Sequence, residues 1–461
     1  MRREESRILL VVCLGTFFHM QSVGSISVLL SAIQKEFGTT LGAVQWIGLM
    51  GAIMLSSLSL CFGRAGDLFG RKIIFKLGLS LYAAGAGLAA VSGSFPQLLG
   101  FRCLMALGLA MAAPLAGAII ASVQSRETRG QALGLLTASI ALGRTTGPTI
   151  GGVVLHIWGW RAVFLTNCIF GIATCVTLFL FLRGKEERRA GPFDYLGVLL
   201  LVLGFPSFLI ALSLGSRLGW KAWEIISWLA FAAGGIASFA WRELHAAAPL
   251  MNLRYFKNIR LTTSMLSLVL ATLAFYPVSI FGPLYLLNVI GVSPLSTGLA
   301  MATLPLCTTL FSPLSGRLAD RFNPRWVAIL GLCIILSGVF FYARLNGGST
   351  VVWIVSVLTM LGTGIGLFLP ANEKAAFSCV TSRDCGMLSA MLTAFGTGSG
   401  AVGTTLAVAL AEASKKTRMD VDAAAFAYDQ QFAFSLLLPM AVLSVVVGVA
   451  GNASKPTHAQ C

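Results

Sequence analysis

Gly63-Arg64-Ala65-Gly66-Asp67-Leu68-Phe69-Gly70-Arg71-Lys72 fills a short gap between two long apolar runs. A degraded copy, Gly316-Arg317-Leu318-Ala319-Asp320-Arg321-Phe322-Asn323-Pro324-Arg325, stands 253 positions later between two more. A charged tight turn repeated in both parts of an apolar chain is hard to explain as filler. It implies two related helical bundles in one chain, the organisation of proteins that rock one half against the other.

Composition sets the same frame. The 461 residues are 56% hydrophobic and only 11% charged, with a mean hydropathy of +0.84. Fourteen apolar runs, from 8–30 to 431–450, are each long enough to cross ~30 Å of hydrocarbon. Several contain Gly or Pro, which membrane helices tolerate. The net charge of +16 does not point to nucleic acid, because the basic residues are distributed by side of the membrane. With the N-terminus inside, 23 of the 33 Lys and Arg fall on the cytoplasmic side, eight fall outside, and Arg102 and Arg144 lie within spans. This bias places both termini in the cytoplasm for an even span count. Arg2 and Arg3 precede the first run without a small-residue cleavage site, the pattern of an uncleaved anchor. The ten cysteines are scattered, with no CxxC and no Cys/His cluster, so neither a disulfide framework nor a metal site is expected.

Six spans precede residue 183 and six follow residue 259. Between them lies a linker that begins with the polar run at 183–189 and holds two further spans. Removing this 77-residue insert from the 253-residue offset leaves 176 residues, about one six-span half. The expected division is therefore a bundle at 1–182, a linker at 183–259 and a bundle at 260–461. Gly147/Gly151 and Gly396/Gly400 are four apart, a spacing that lets helix backbones approach closely.

These residues resemble the major facilitator superfamily, specifically its fourteen-span drug/proton antiporter branch, along essentially the whole chain. The resemblance implies an all-α membrane protein in the major facilitator fold, with two pseudo-symmetric six-helix bundles and two linker helices. The turn at Gly63 matches the signature between the family's second and third spans. There Gly63 and Gly70 allow the tight connection, Asp67 supplies a fixed negative charge, and Arg71 and Lys72 remain at the anionic inner surface. Asp67 is suited to the positive N-terminus of a helix in the other half; the family implies a conformational latch, with Asp320 as its counterpart. Ala65 and Leu68 depart from a usual Leu and Arg, and Asn323 weakens the second copy. Gly134, Gly143, Gly147, Pro148, Gly151 and Gly152 reproduce the fifth-span antiporter pattern G-x8-G-x3-G-P-x2-G-G. Such glycines form a smooth face able to approach the other half, and Gly147-Pro148 permits a bend. Arg144, inside this pattern, either faces the cavity and attracts anionic substrate groups or snorkels. Arg102, Gly108 and Pro114 are similar to the fourth-span motif R-x-x-Q-G-x-G, with Met105 and Ala106 replacing its Gln and Gly. The resemblance associates Arg102 with proton movement.

First spans of this branch read close to L-D-x-T-I-V-N-V-A-L-P, whereas this chain reads Gln21-Ser22-Val23-Gly24-Ser25-Ile26-Ser27-Val28-Leu29-Leu30-Ser31. Ser22 takes the acidic position and carries no proton at physiological pH. No Asp or Glu stands deep in a span; Glu373 and Glu412 lie near span ends. His19, one turn before Ser22, is either a substitute proton carrier or a structural residue. By analogy, spans one, four, nine and twelve line the cavity. That makes Ser22, Met105, Phe275, Tyr276, Tyr285, Met360, Phe368 and Asn372 candidate substrate contacts, in a setting suited to bulky amphipathic or cationic molecules. Gln45-Trp46 matches a family dipeptide and also reads as an interfacial anchor. With no Walker A pattern and no nucleophile motif, the expected function is non-enzymatic and cofactor-free. It is export of small amphipathic molecules by alternating access, proton-coupled, by a monomer in the plasma (inner) membrane. The alternatives are an uncoupled lipid or metabolite facilitator and a membrane sensor lacking transport.

Overall fold

The computed structural model describes residues 3–39, 41–125, 127–181, 193–246, 250–251, 253–346, 348–381, 384–415 and 423–453. The polar run at 183–189, Arg2, His458 and the side chains of Gln45 and Glu412 lie outside the described residues. Every regular element among those described is helical.

The first signature is a turn between α2 (Leu41–Phe69), which follows α1 (Arg3–Phe37), and α3 (Arg71–Ala90). Gly70 holds φ 108° and ψ 120°, a backbone that residues with a Cβ rarely adopt, so this corner requires glycine. After α4 (Phe95–Val123), the 53-residue α5 (Arg129–Phe181) is two spans joined at Gly159, where φ is 81° and ψ 174°. A hairpin of α6 (Tyr195–Leu218) and α7 (Trp223–His245) follows. Then α8 (Ile259–Phe275) and α9 (Val278–Asn288) form one span, broken at Tyr276-Pro277 because Pro277 lacks the N–H that would continue the ladder.

The second signature joins α10 (Pro294–Arg321) to α11 (Pro324–Tyr342). Here the weakened copy solves the corner differently. Asn323 accepts the Arg325 N–H at 3.1 Å as an N-cap, and Pro324 pre-sets the first helical residue. The chain ends with α12 (Val351–Phe377), α13 (Cys385–Lys415) and α14 (Ala423–Ala453). Among the described residues, twelve helical stretches are long and apolar enough to cross a membrane. One of them, α5, contains two spans, and Phe434–Ala450 of α14 adds a shorter one, which accounts for fourteen.

Packing repeats the duplication. α1 lies along the first part of α5, α3 against α4 and α5, and α2 against α4. In the later set, α8 lies along α13, α11 against α12 and α14, and α10 against α12. The two sets meet where α2 contacts α13 and α5 contacts α10. The α6–α7 hairpin packs on the rest through α6 against α2 and α13, and Phe239 of α7 shares a buried cluster with Cys61 of α2.

The antiporter glycines divide between these two kinds of contact, which corrects the expectation of a single face toward the other half. A Cβ on Gly147 would come within 2.8 Å of the Gly24 Cα, and one on Gly151 within 2.6 Å of the Ser25 Cβ. Gly143 likewise faces Phe17, Met20 and Gln21. All three therefore bind α5 to α1 of the same set. Gly134 alone of the pattern faces α10, 3.2 Å from the Pro313 Cα by the same measure, and Gly152 has open space around it. Pro148 offers no N–H to the Arg144 carbonyl, and Gly24 packs against that carbonyl instead.

Overpacking a closely apposed helix pair costs about 1–3 kcal/mol. Gly147→Val is therefore expected to lower the melting temperature of the purified protein and its yield. Gly152→Ala should leave both unchanged, and thermal unfolding followed by tryptophan fluorescence distinguishes the two.

Candidate functional site

Two carboxylates hold the helix sets together at one end. Asp67, at the end of α2, is only 6% exposed. It accepts the Gly386 N–H at 3.1 Å and the Met387 N–H at 2.9 Å, both in the first turn of α13. Asp320, at the end of α10, accepts the Gly130 and Gln131 N–H groups at 2.8 Å each, in the first turn of α5. The two contacts are reciprocal: each set supplies one carboxylate and one helix N-terminus. The first turn of a helix has N–H groups without intrahelical acceptors and carries the positive end of its dipole. Charge-assisted hydrogen bonds of this kind are worth about 1.5–3 kcal/mol each.

Buried carboxylates also need compensating cations, and the two copies find them differently. Arg71 reaches Asp67 through Nε at 2.8 Å and Nη2 at 2.7 Å. It is thus a buried counter-ion of Asp67, and Lys72 next to it is half-buried. The position matching Arg71 in the second copy is Pro324, which has no charge. Lys374 of α12 replaces it, donating to Asp320 at 2.6 Å and to the Ala319 carbonyl at 2.9 Å. The missing cation at the position matching Arg71 was the sequence signal that Asp320 draws its counter-ion from elsewhere.

A second polar group lies inside the first set. His19 of α1 is 4% exposed, its ring centroid is 4.3 Å from that of Tyr82 on α3, and neither ring nitrogen has a hydrogen-bond partner. Tyr82 donates to Ser22, which is therefore committed to α3. Arg102 of α4 donates to the Ile47 carbonyl at 3.2 Å and to the Met105 sulfur at 3.4 Å, while its Nε is unpartnered. It interacts electrostatically with both His19 and Tyr82. Four helices thus enclose one polar cluster. Tyr82 carried no sequence signal, since its partner is 60 residues away.

The expected cavity residues separate in the fold. Ser22 and Met105 belong to the interior just described. Tyr285 is fully buried and donates to the Asn346 carbonyl at 2.5 Å. Phe275 is buried in the apolar core. Phe368 and Asn372 line a crevice between α8, α11, α12 and α14, where Asn372 donates to the Ser264 carbonyl at 3.2 Å. Met360 shares a helix face with exposed Trp353 and Ser356. These seven face their own helix set or its outside, because each side chain follows the packing of its own helix. Tyr276 is half-exposed against Gly400, and Arg144 is exposed. Glu373 stands within α12, four residues before its end and next to the capping Lys374.

A duplicated helical membrane protein with reciprocal carboxylate caps between its two sets defines a membrane transporter of the alternating-bundle class. The family model described as Major Facilitator Superfamily matches residues 12–287 and 265–458, so the chain belongs to that superfamily. It is 28% identical to the multidrug resistance protein Stp of Mycobacterium tuberculosis, over 89% of this chain and 76% of that one. It is 26% identical to the lincomycin resistance protein LmrB of Listeria monocytogenes, over 88% and 86% of the two chains. Among solved structures, the human organic anion transporter MFSD10 superposes with a TM-score of 0.69 at 16% identity, covering 96% of this chain and 99% of that one. The likeness to MFSD10 concerns the fold.

Asp320 and Lys374 are expected to be energetically coupled. A double-mutant cycle with Asp320→Asn and Lys374→Met, read from thermal unfolding, should return about 0.5–3 kcal/mol of interaction energy. Strict additivity would mean that the ion pair contributes nothing.

Proposed function

We propose that the chain is a secondary active exporter of small amphipathic molecules. It works by alternating access, with residues 1–182 and 260–461 as the two moving bundles and 183–259 as a linker carrying two spans. The observation that carries this proposal is the reciprocal pair of caps, Asp67 on α13 and Asp320 on α5. Such contacts suit a latch: they are strong when aligned, they join only the two bundles, and they can be released without disturbing either bundle's own packing. The excess of Lys and Arg on one side supports a cytoplasmic position for the latch and for both termini, in the plasma (inner) membrane. The named roles of Stp and LmrB in drug resistance support export, and one chain holding both bundles can work as a monomer.

Proton coupling is assigned to the interior cluster of the first bundle. His19 is its titratable group near neutrality in free form, and Arg102 and Tyr82 adjust its surroundings. Uptake and release would then accompany opening of the cluster as the bundles rock. The Ser22–Tyr82 bond favours a second mechanism, uncoupled facilitation, because the usual acidic position holds a hydroxyl already engaged with α3.

In cells expressing the protein, dye export is expected to collapse when the proton gradient is dissipated, and His19→Ala should abolish gradient-driven efflux while ligand binding persists. Efflux indifferent to the gradient would assign the chain to uncoupled facilitators. Asp67→Asn turns an amide NH2 toward one of the α13 N–H donors. It is expected to increase labelling of cytoplasmic-side cysteines introduced along α4, and to lower efflux at least tenfold. Unchanged labelling would remove Asp67 from the latch.

A further inference from the structure

The geometry points to Arg144 as the residue that recognises the charged group of the transported molecule, and to amphipathic organic anions, carboxylates first among them, as the class it takes. This rests on the exporter proposal and narrows its substrate.

Arg144 stands 15 residues from Arg129 and 15 from the break at Gly159. It is therefore about 22 Å from either end of this span. No arginine side chain snorkels over that distance, and an unpaired guanidinium facing lipid at the midplane is costly. Its direction is fixed by its neighbours. Leu135, Leu142 and Val153 mark an exposed apolar face of α5, suited to lipid. Arg144 follows Leu142 by two residues, which places it about 200° around the helix. On one flank Gly143, Gly147 and Gly151 face α1, and on the other Gly134 faces α10. Because α1 and α10 belong to different bundles, the sector between them is the seam where the bundles meet. Arg144 is nevertheless exposed, so that seam is open at its depth.

Ile140, one turn earlier on the same face, packs against the buried cluster of Met20, Leu55 and Leu109, as do Val23 and Ala113. The cation thus rises from an apolar floor contributed by four helices. It makes no hydrogen bond or ion pair among the described residues. Asp67 and Asp320 are taken by their own cations, and Glu373 lies beside Lys374 at the capped end, about 20 Å away along the helix axis. A guanidinium accepts a carboxylate in a two-pronged geometry, and the low dielectric around it strengthens that pair relative to water. An apolar body on the Met20/Ile140 floor, with its carboxylate on Arg144, uses both features.

The test is equilibrium binding to the full chain in nanodiscs, with two probes that differ only in charge: N-dansylphenylalanine and its uncharged carboxamide. The carboxylate is expected to bind at least tenfold tighter than the amide. Arg144→Gln should erase that preference while keeping the amide within twofold of its original affinity, and Arg144→Lys should retain most of the preference. Equal binding of both probes to the parent, no carboxylate binding, or a preference that survives Arg144→Gln each overturns the assignment. Melting curves of both variants confirm that they are folded. Dye efflux from cells is scored separately: export of an uncharged dye with no carboxylate preference leaves the exporter proposal standing and removes only the assignment of Arg144.

Discussion

A carboxylate withdrawn from water has to find donors, and the first turn of a helix has donors without acceptors. Asp67 with α13 and Asp320 with α5 solve each other's deficits across the seam between two helix sets. Much of the molecule is arranged around that exchange. The corner at Gly70 positions Asp67 at the end of α2, and the cap at Asn323 positions Asp320 at the end of α10. Arg71 and Lys374 balance the charge from different directions, one from the next helix and one from α12. What the duplication preserves is the electrostatic result, and the residues that deliver it have diverged.

The glycine pattern of α5 serves the same division of labour. Most of its glycines fasten α5 to α1, within one bundle, where a Cβ would collide with backbone. Rocking one bundle against another requires bundles that are themselves stiff, and close backbone contact gives that stiffness without bulky interdigitation. The seam, by contrast, is joined through hydrogen bonds from helix termini and through a few close contacts such as Gly134 with Pro313 and Gly63 with Gly386. Bonds of that kind align or fail together, which is what a two-position device needs.

Polar groups in the membrane interior fall into two physically distinct settings. His19, Ser22, Tyr82 and Arg102 are enclosed within one bundle and respond to one another. Arg144 is exposed, on the sector of α5 between its contacts with α1 and α10. The first setting suits an internal coupling element and the second suits contact with a transported molecule. Separating them allows a charge on the substrate and a charge on the coupling group to be handled at different places.

The sequence alone determined a great deal here. Fourteen apolar runs, a twice-repeated charged corner and a gap-free glycine pattern set the class of fold, because length, hydropathy and turn chemistry are local properties of the chain. Asp67 was legible as a helix-capping charge for the same reason. Which way side chains point was a different matter. Tyr285, Phe368, Asn372 and Met105 read as cavity residues from the span that carries them, yet they turn to their own bundle, because rotation of a helix about its axis is set by the neighbours it packs against. Lys374 became the partner of Asp320, and Tyr82 that of Ser22, only when helices far apart in sequence were brought together. The position of Arg144 at the seam was decided in the same way, by the contacts of α5 with α1 on one side and α10 on the other.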